Sequence, residues 1–150
     1  MAHASVSIGN FDQLLDIAKI DLKSEFEGAL DRSLQKGEEA MKEAIATRGT
    51  GREWSHPWGR NGRTASKPGR IDTGEMQGDV RGVITEVSEQ RVEGNLGWDD
   101  NSPLYYALQD QGFTHVITGD EIEGMRALRD AAEVTERALL DEVDGIVRRF

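Results

Sequence analysis

Two long stretches of the chain repeat apolar side chains at three- and four-residue steps. That spacing predicts α-helices with one apolar stripe each. Asn10 and Gln13 form a capping-box pattern at the start of the first helix, and a break near residue 20 would let Asp21 cap a second segment. Gly37 weakens this helix without ending it, and Gly49 is predicted to close it. The first stripe comprises Phe11, Leu15, Ala18, Leu22, Phe26, Leu30, Leu34, Met41 and Ile45, and the second Ile122, Met125, Leu128, Ala132, Thr135, Leu139, Val143, Ile146 and Val147.

Shorter segments with alternating apolar residues predict strands. Val6 and Ile8 alternate with serines near the start of the chain. Two further segments, Asp79–Val87 and Gln90–Trp98, are separated by a short turn and predict an antiparallel hairpin. The expected inward positions are Val80, Val83, Ile84 and Val87 on the first strand, and Val92, Gly94, Leu96 and Trp98 on the second.

A short helix and a last strand are predicted after the hairpin. Ser102 is expected to cap the helix with Pro103 at its first position, and Gly112 to end it in a left-handed conformation. Phe113–Thr118 has strand character, the next two residues turn the chain, and the second long helix is expected from Glu121 to Phe150.

These elements predict an α+β fold in one domain over residues 1–150. A small antiparallel β-sheet is packed by a long N-terminal helix and a long C-terminal helix, with an extended basic loop between helix and sheet. A chain of this length supports one modest core. Phe26, Leu30, Leu128 and Leu139 are expected in that core.

The segment 48–74 differs in composition from the rest of the chain. It holds six glycines, two prolines and two tryptophans, and its local charge is +4 against −14 for the remainder. Tryptophan and arginine are enriched at interface hot spots, which favours a contact with an acidic surface of a neighbouring subunit. A nucleic-acid surface and a solvated segment are the alternatives. The candidate contact residues are Arg48, Arg52, Trp54, Trp58, Arg60 and Arg63.

The bulk charge and composition exclude several other functions. The net charge is −10, which argues against sequence-blind binding of duplex DNA, and the chain has no cysteine, which fits a reducing cytoplasm. Neither a signal peptide nor an 18-residue apolar span is predicted.

The residue pattern offers no catalytic or metal-binding motif. The three histidines, His3, His56 and His115, have no ligand spacing, and the carboxylates are scattered along predicted helix surfaces. Asp99-Asp100-Asn101 lacks the spaced pattern of a calcium loop. The expectation is therefore a protein without catalytic residues, cofactor or metal.

Four short motifs, in order, resemble the tail-completion (head–tail joining, or neck) proteins of long-tailed bacteriophages. The opening strand with Gly9 and Leu14-Leu15 resembles the start of that family, and Thr73-Gly74 stands where a Thr-Gly motif begins its first sheet strand. Tyr105–Gly112 resembles the family's Tyr-Ala segment leading to a glycine, and Gly124–Ala131 its opening of the last helix.

The resemblance implies a structural virion protein rather than an enzyme. Its subunits would form a ring, typically a hexamer, between the head-side connector or stopper and the tail terminator or tail tube, with genomic DNA passing through the lumen without specific binding. The chain would be assembled in the host cytoplasm into the virion, with Tyr105 and Tyr106 as interface candidates. A tail terminator ring is the alternative within this class, and a small nucleic-acid-associated factor using the basic loop is the alternative from another class.

Overall fold

A computed structural model describes residues 2–9, 21–48, 74–114, 116, 119 and 121–149, together with the backbone of 54–55 and 64–65. It has the predicted α+β architecture: a long N-terminal helix, a small antiparallel sheet and a long C-terminal helix. The elements are β1 His3–Gly9, α1 Leu22–Thr47, β2 Trp54–Ser55, β3 Thr64–Ala65, α2 Glu75–Gly78, β4 Arg81–Val87, β5 Arg91–Gly97, α3 Leu104–Gln111, β6 Gly112–Thr114, β7 Glu121–Glu123 and α4 Ala127–Val147.

Helix α1 begins at the predicted break. The Asp21 carboxylate accepts hydrogen bonds from the Ser24 backbone amide (3.1 Å) and hydroxyl (2.7 Å), which makes Asp21 the N-cap. The expected helix from Asn10 to this cap lies outside the described residues. The helix ends at Thr47, and Gly49 also lies outside the described part of the chain. The stripe is buried as predicted, at Leu22, Phe26, Leu30, Leu34, Met41 and Ile45.

The central sheet has the order β1-β5-β4, and both pairings are antiparallel. The hairpin turn is held by the Ser88 hydroxyl, which accepts hydrogen bonds from the amides of Gln90 (3.3 Å) and Arg91 (3.0 Å). Strand β5 buries its predicted positions against α1, because alternate side chains point to the same face. These buried positions are Val92, Gly94 and Leu96, followed by Trp98.

The inward prediction for strand β4 is wrong at Val83. The strand begins at Arg81 rather than Asp79, and Val83 pairs with Asn95 and is 48% exposed. Ile84 pairs with the buried Gly94 and is partly buried, so the core side of the strand runs through Ile84. A bulge follows, and Val87 is 40% exposed at the strand end.

Helix α4 packs along α1, and the two helices are in close contact at Gly37. A β-carbon at Gly37 would lie 1.9 Å from the Thr135 hydroxyl oxygen, so only glycine fits this crossing. Thr135 is fully buried and donates a hydrogen bond to the Ala131 carbonyl at 2.9 Å. The core prediction is confirmed for Phe26, Leu30 and Leu139, and Leu128 is partly buried against the core.

The predicted start of the last helix at Glu121 is wrong. Residues Glu121–Glu123 form β7, which pairs with β6, and Arg126 has a positive φ of 55° immediately before α4. Strand pairing and this backbone turn delay the helix to Ala127. Among the described residues, no helix is long and apolar enough to cross a membrane.

Two further local predictions are corrected, one in the segment before β4 and one at the start of α3. Gly74 of the Thr-Gly motif does not begin a sheet strand, because it precedes the helical turn α2 and β4 begins at Arg81; Thr73 lies outside the described residues. The short helix begins at Leu104 with Pro103 as N-cap, one residue later than predicted, and the Ser102 hydroxyl bonds to Asp99 instead of capping it.

Candidate assembly surface

Helix α3 is positioned by the turn that precedes it. The Asp99 carboxylate accepts hydrogen bonds from the Asn101 amide (2.9 Å) and the Ser102 hydroxyl (3.3 Å). The Tyr106 amide then donates to the Pro103 carbonyl at 3.1 Å, which starts the helical ladder. This turn sets the direction in which α3 leaves the sheet.

The inner face of α3 is anchored by Tyr106. Its ring packs at 5.5 Å from that of Trp98, and its hydroxyl donates to an Asp79 carboxylate oxygen at 2.7 Å. Burial, together with this hydrogen bond, raises the pKa of Tyr106 above its ordinary value. Trp98 in turn donates its indole N–H to the Met76 carbonyl at 2.8 Å. Tyr106 therefore joins α3 to α2 and β5, and as a buried anchor it is not on the surface of the single chain.

The opposite side of α3 is apolar and exposed. Leu104 is 75% exposed, Tyr105 47% and Leu108 38%. The spacing of these three residues puts them on one side of the helix, with the Tyr105 ring edge-on to Tyr106 at 4.8 Å. We call this set, Leu104, Tyr105 and Leu108, the α3 outer face. Of the two predicted tyrosine contacts, Tyr105 is thus the one presented to solvent.

Asp110 locks α3 to α4. It is buried, and its carboxylate accepts hydrogen bonds from the amides of Ala127 (2.7 Å) and Leu128 (3.3 Å) at the start of α4. Its own carbonyl accepts from the Arg126 amide at 3.0 Å. Sequence reasoning missed this residue, although a carboxylate two positions before a helix-ending glycine was a visible signal.

The hairpin of β6 and β7 continues directly from α3. Gly112 ends the helix with a positive φ of 89°, as predicted, but its ψ of 157° is extended, so the chain enters β6 at once instead of making a left-handed turn. Val116, in the turn beyond β6, is 97% exposed. Apolar side chains are therefore exposed both on α3 and on this hairpin.

The predicted loop contacts lie mostly outside the described residues. The backbone of Trp54–Ser55 pairs antiparallel with that of Thr64–Ala65, a strand pair that the composition did not predict. Arg52, Trp58, Arg60 and Arg63 are outside the described part of the chain, as is the side chain of Trp54.

Arg48 is bound within the chain. Its guanidinium donates to the Met125 carbonyl at 2.8 Å and pairs with Asp130 at 2.6 Å, which ties the end of α1 to the start of α4. Arg48 first, and then Arg129, hold the pKa of the Asp130 carboxyl below its usual range. The positive charge of Arg48 is thus already paired with Asp130 inside the subunit.

The described residues contain no group of three or more histidine, cysteine or carboxylate side chains that could hold a metal ion. His3 is exposed on β1, while His56 and His115 lie outside the described residues.

The fold and the α3 outer face together define an α+β domain that presents an exposed aliphatic and aromatic strip on a rigidly held helix. No family model, no curated protein and no solved structure matches this chain.

Proposed function

We propose that this chain is a structural subunit of the neck of a long-tailed bacteriophage, which assembles with copies of itself into a ring between the head connector and the tail. The exposed apolar α3 outer face is the observation that supports self-assembly. Large exposed apolar side chains grouped on one element mark protein–protein contact sites, and tyrosine is enriched in such contacts. Leu104 and Tyr105 lie on a helix whose inner side is fixed by Tyr106 and Asp110, so the strip is preorganised for binding.

The edges of the central sheet offer a second contact. Among the described residues, β1 and β4 each pair with β5 alone, so both outer strands carry backbone groups without a strand partner on one side. The two edges differ from each other. A contact between unlike surfaces of identical subunits is heterologous and closes into a ring when the rotation closes.

The virion part of the proposal rests on the order of the four motifs in the sequence. The net charge of −10 supports it physically, because an acidic channel wall repels DNA that passes through it. We propose three further features from the same resemblance: the ring is a hexamer, it lies in the neck of the virion, and its neighbours are a head-side connector and a tail protein.

The assembly part is tested by size-exclusion chromatography with light scattering over a range of protein concentrations, with negative-stain microscopy of the fractions. We expect closed oligomers in the parent protein and a shift to monomer in Leu104→Ser/Leu108→Ser. Leu140→Ser is the matched control, because Leu140 is a comparably exposed leucine (63%) on a different helix. A parent that stays monomeric at every concentration overturns self-assembly.

The same measurement with duplex DNA at two salt concentrations tests the nucleic-acid alternative. We expect no co-elution with DNA, and a salt-sensitive complex would favour that alternative. Gold labelling of a tagged chain in assembled particles tests the virion part: label is expected at the head–tail junction, and particles without label would refute it.

A further inference from the structure

The α3 outer face lies in the most acidic stretch of the chain. Residues 92–125 contain seven aspartates and glutamates and no lysine or arginine. Asp99 and Asp100 are exposed directly before α3, and Glu121 and Glu123 are exposed on β7, which contacts α3. The apolar strip is thus flanked by carboxylates at both ends of the helix.

Within this stretch Glu93 is paired with Arg91 at 2.6 Å, so the carboxylates that matter are those beside α3. Two carboxylates outside this stretch are paired across the fold, Glu142 with Arg32 at 2.9 Å and Asp130 with Arg48. Asp100 and Glu121 have no ion pair with any cation that the structure describes. An apolar strip with unneutralised carboxylates at its ends is complementary to a segment that combines aromatic rings with arginines.

The chain carries one segment of that composition. Residues 51–70 hold both Trp54 and Trp58 together with five basic residues and one glutamate. We propose that the α3 outer face of one copy binds segment 51–70 of a second copy. The tryptophans would cover Leu104, Tyr105 and Leu108, and the arginines would face the flanking carboxylates. The occupant comes from outside the subunit because Leu104 is three-quarters exposed in the single chain. This inference rests on the proposed self-assembly and names the surfaces that make it.

Photo-crosslinking tests the pairing directly. p-Benzoylphenylalanine replaces Leu104, an exposed position, and the variant is mixed with ¹⁵N-labelled parent protein before irradiation. Mass spectrometry should find crosslinks from position 104 to peptides within 51–70 of the other isotope. The same crosslinker at Leu140 is the control and should give no crosslink to that segment. Crosslinks only within one chain, or only to other segments, overturn the proposal.

A charge exchange provides the second test. Asp100→Lys/Glu121→Lys and Arg60→Glu/Arg63→Glu should each weaken self-association about tenfold. Mixing the two variants should restore it, because the face of each variant then meets a segment of opposite charge on the other. A mixture no tighter than either variant alone contradicts the pairing.

The results of these experiments distinguish the pairing of the α3 outer face with segment 51–70 from the proposed assembly into a ring. If the parent forms oligomers but position 104 does not crosslink to 51–70, the pairing is wrong and self-assembly stands. If the crosslink forms in a protein that never exceeds a dimer, the pairing stands and the ring is wrong. If the parent is monomeric and position 104 gives no crosslink between isotopes, both are overturned.

Discussion

Replacing Gly37 by alanine should destabilise the protein, although the same change in an isolated helix would stabilise it. Glycine inside a helix costs about 1 kcal/mol relative to alanine, because it loses more backbone freedom on folding. From the helix alone, Gly37→Ala is therefore expected to raise the free energy of unfolding. The packing of α1 against α4 should instead lower the free energy of unfolding of this variant.

The magnitude follows from three contacts of the new methyl group. Its carbon would lie 1.9 Å from the Thr135 hydroxyl oxygen, 2.9 Å from a Leu96 methyl carbon and 3.3 Å from the Ala131 carbonyl oxygen. The leucine methyl can rotate, but Thr135 is buried and its hydroxyl is hydrogen-bonded, so the helices must separate. Overpacking of this kind costs ~1–3 kcal/mol, and the short distance favours the upper end. After the helical gain, the net loss is about 2 kcal/mol.

The assay is thermal and urea unfolding of Gly37→Ala beside Gly28→Ala in the same helix. The new methyl group at Gly28 meets only the half-exposed guanidinium at the far end of the Arg32 side chain, at 3.2 Å, which a small shift of that side chain relieves. Two kcal/mol corresponds to a fall in Tm of roughly 4–8 °C at this chain length, whereas Gly28→Ala should raise Tm by about 2–4 °C. Thr135→Ala in the Gly37→Ala background should recover part of the loss, as a positive coupling in the double-mutant cycle.

The reasoning fails if Gly37→Ala melts at or above the parent temperature. It also fails if Thr135→Ala and Gly37→Ala simply add, because the clash is then not between these two residues.

Three further changes test other parts of the structure. Asp110→Ala removes the buried acceptor at the start of α4 and should cost about 1–3 kcal/mol in urea unfolding, and a cost below about 0.5 kcal/mol would contradict the capping role. Leu30→Ala should cost ~2–5 kcal/mol in the core while Leu140→Ala at the surface changes little, and an unchanged melt for Leu30→Ala would refute the burial of α1. Arg48→Gln should lose stability at pH 7 more than at pH 3. Because the pKa of Asp130 is lowered in the folded state, its ion pair with Arg48 stabilises the fold above about pH 4, and this contribution is lost as acid protonates the carboxyl. An equal loss of stability at both pH values would exclude the ion pair as the cause of the loss.

Much of the fold could be read from periodicity. The buried face of α1, the β4–β5 hairpin and the helix end at Gly112 were predicted from residues close to each other in sequence. The helix and the hairpin follow from local repeats of 3.6 and 2 residues, and the helix end follows from one glycine. These signals do not depend on which distant segments the elements pack against.

The errors share one cause, which is pairing between distant segments. Val83 follows an apolar pattern yet pairs with Asn95 on the exposed side, because strand side chains alternate and the side that faces α1 runs through Gly82 and Ile84. Glu121–Glu123 continues a helical pattern yet forms β7, because β6 offers backbone partners. The contacts of Tyr106 with Asp79 and of Arg48 with Asp130 likewise join distant segments.

The sequence by itself determined which faces of the long helices are apolar and that helices and strands alternate as an α+β domain, since local spacing is sufficient for both. The tertiary structure decided the roles of single residues whose partners are far away in the chain. Gly37 is required by Thr135, Asp110 caps a helix that begins at Ala127, and the outward side of α3 is defined only once Tyr106 is anchored. Such contacts have no signature in a local pattern, because each side chain meets its partner only after the helices and the sheet have packed.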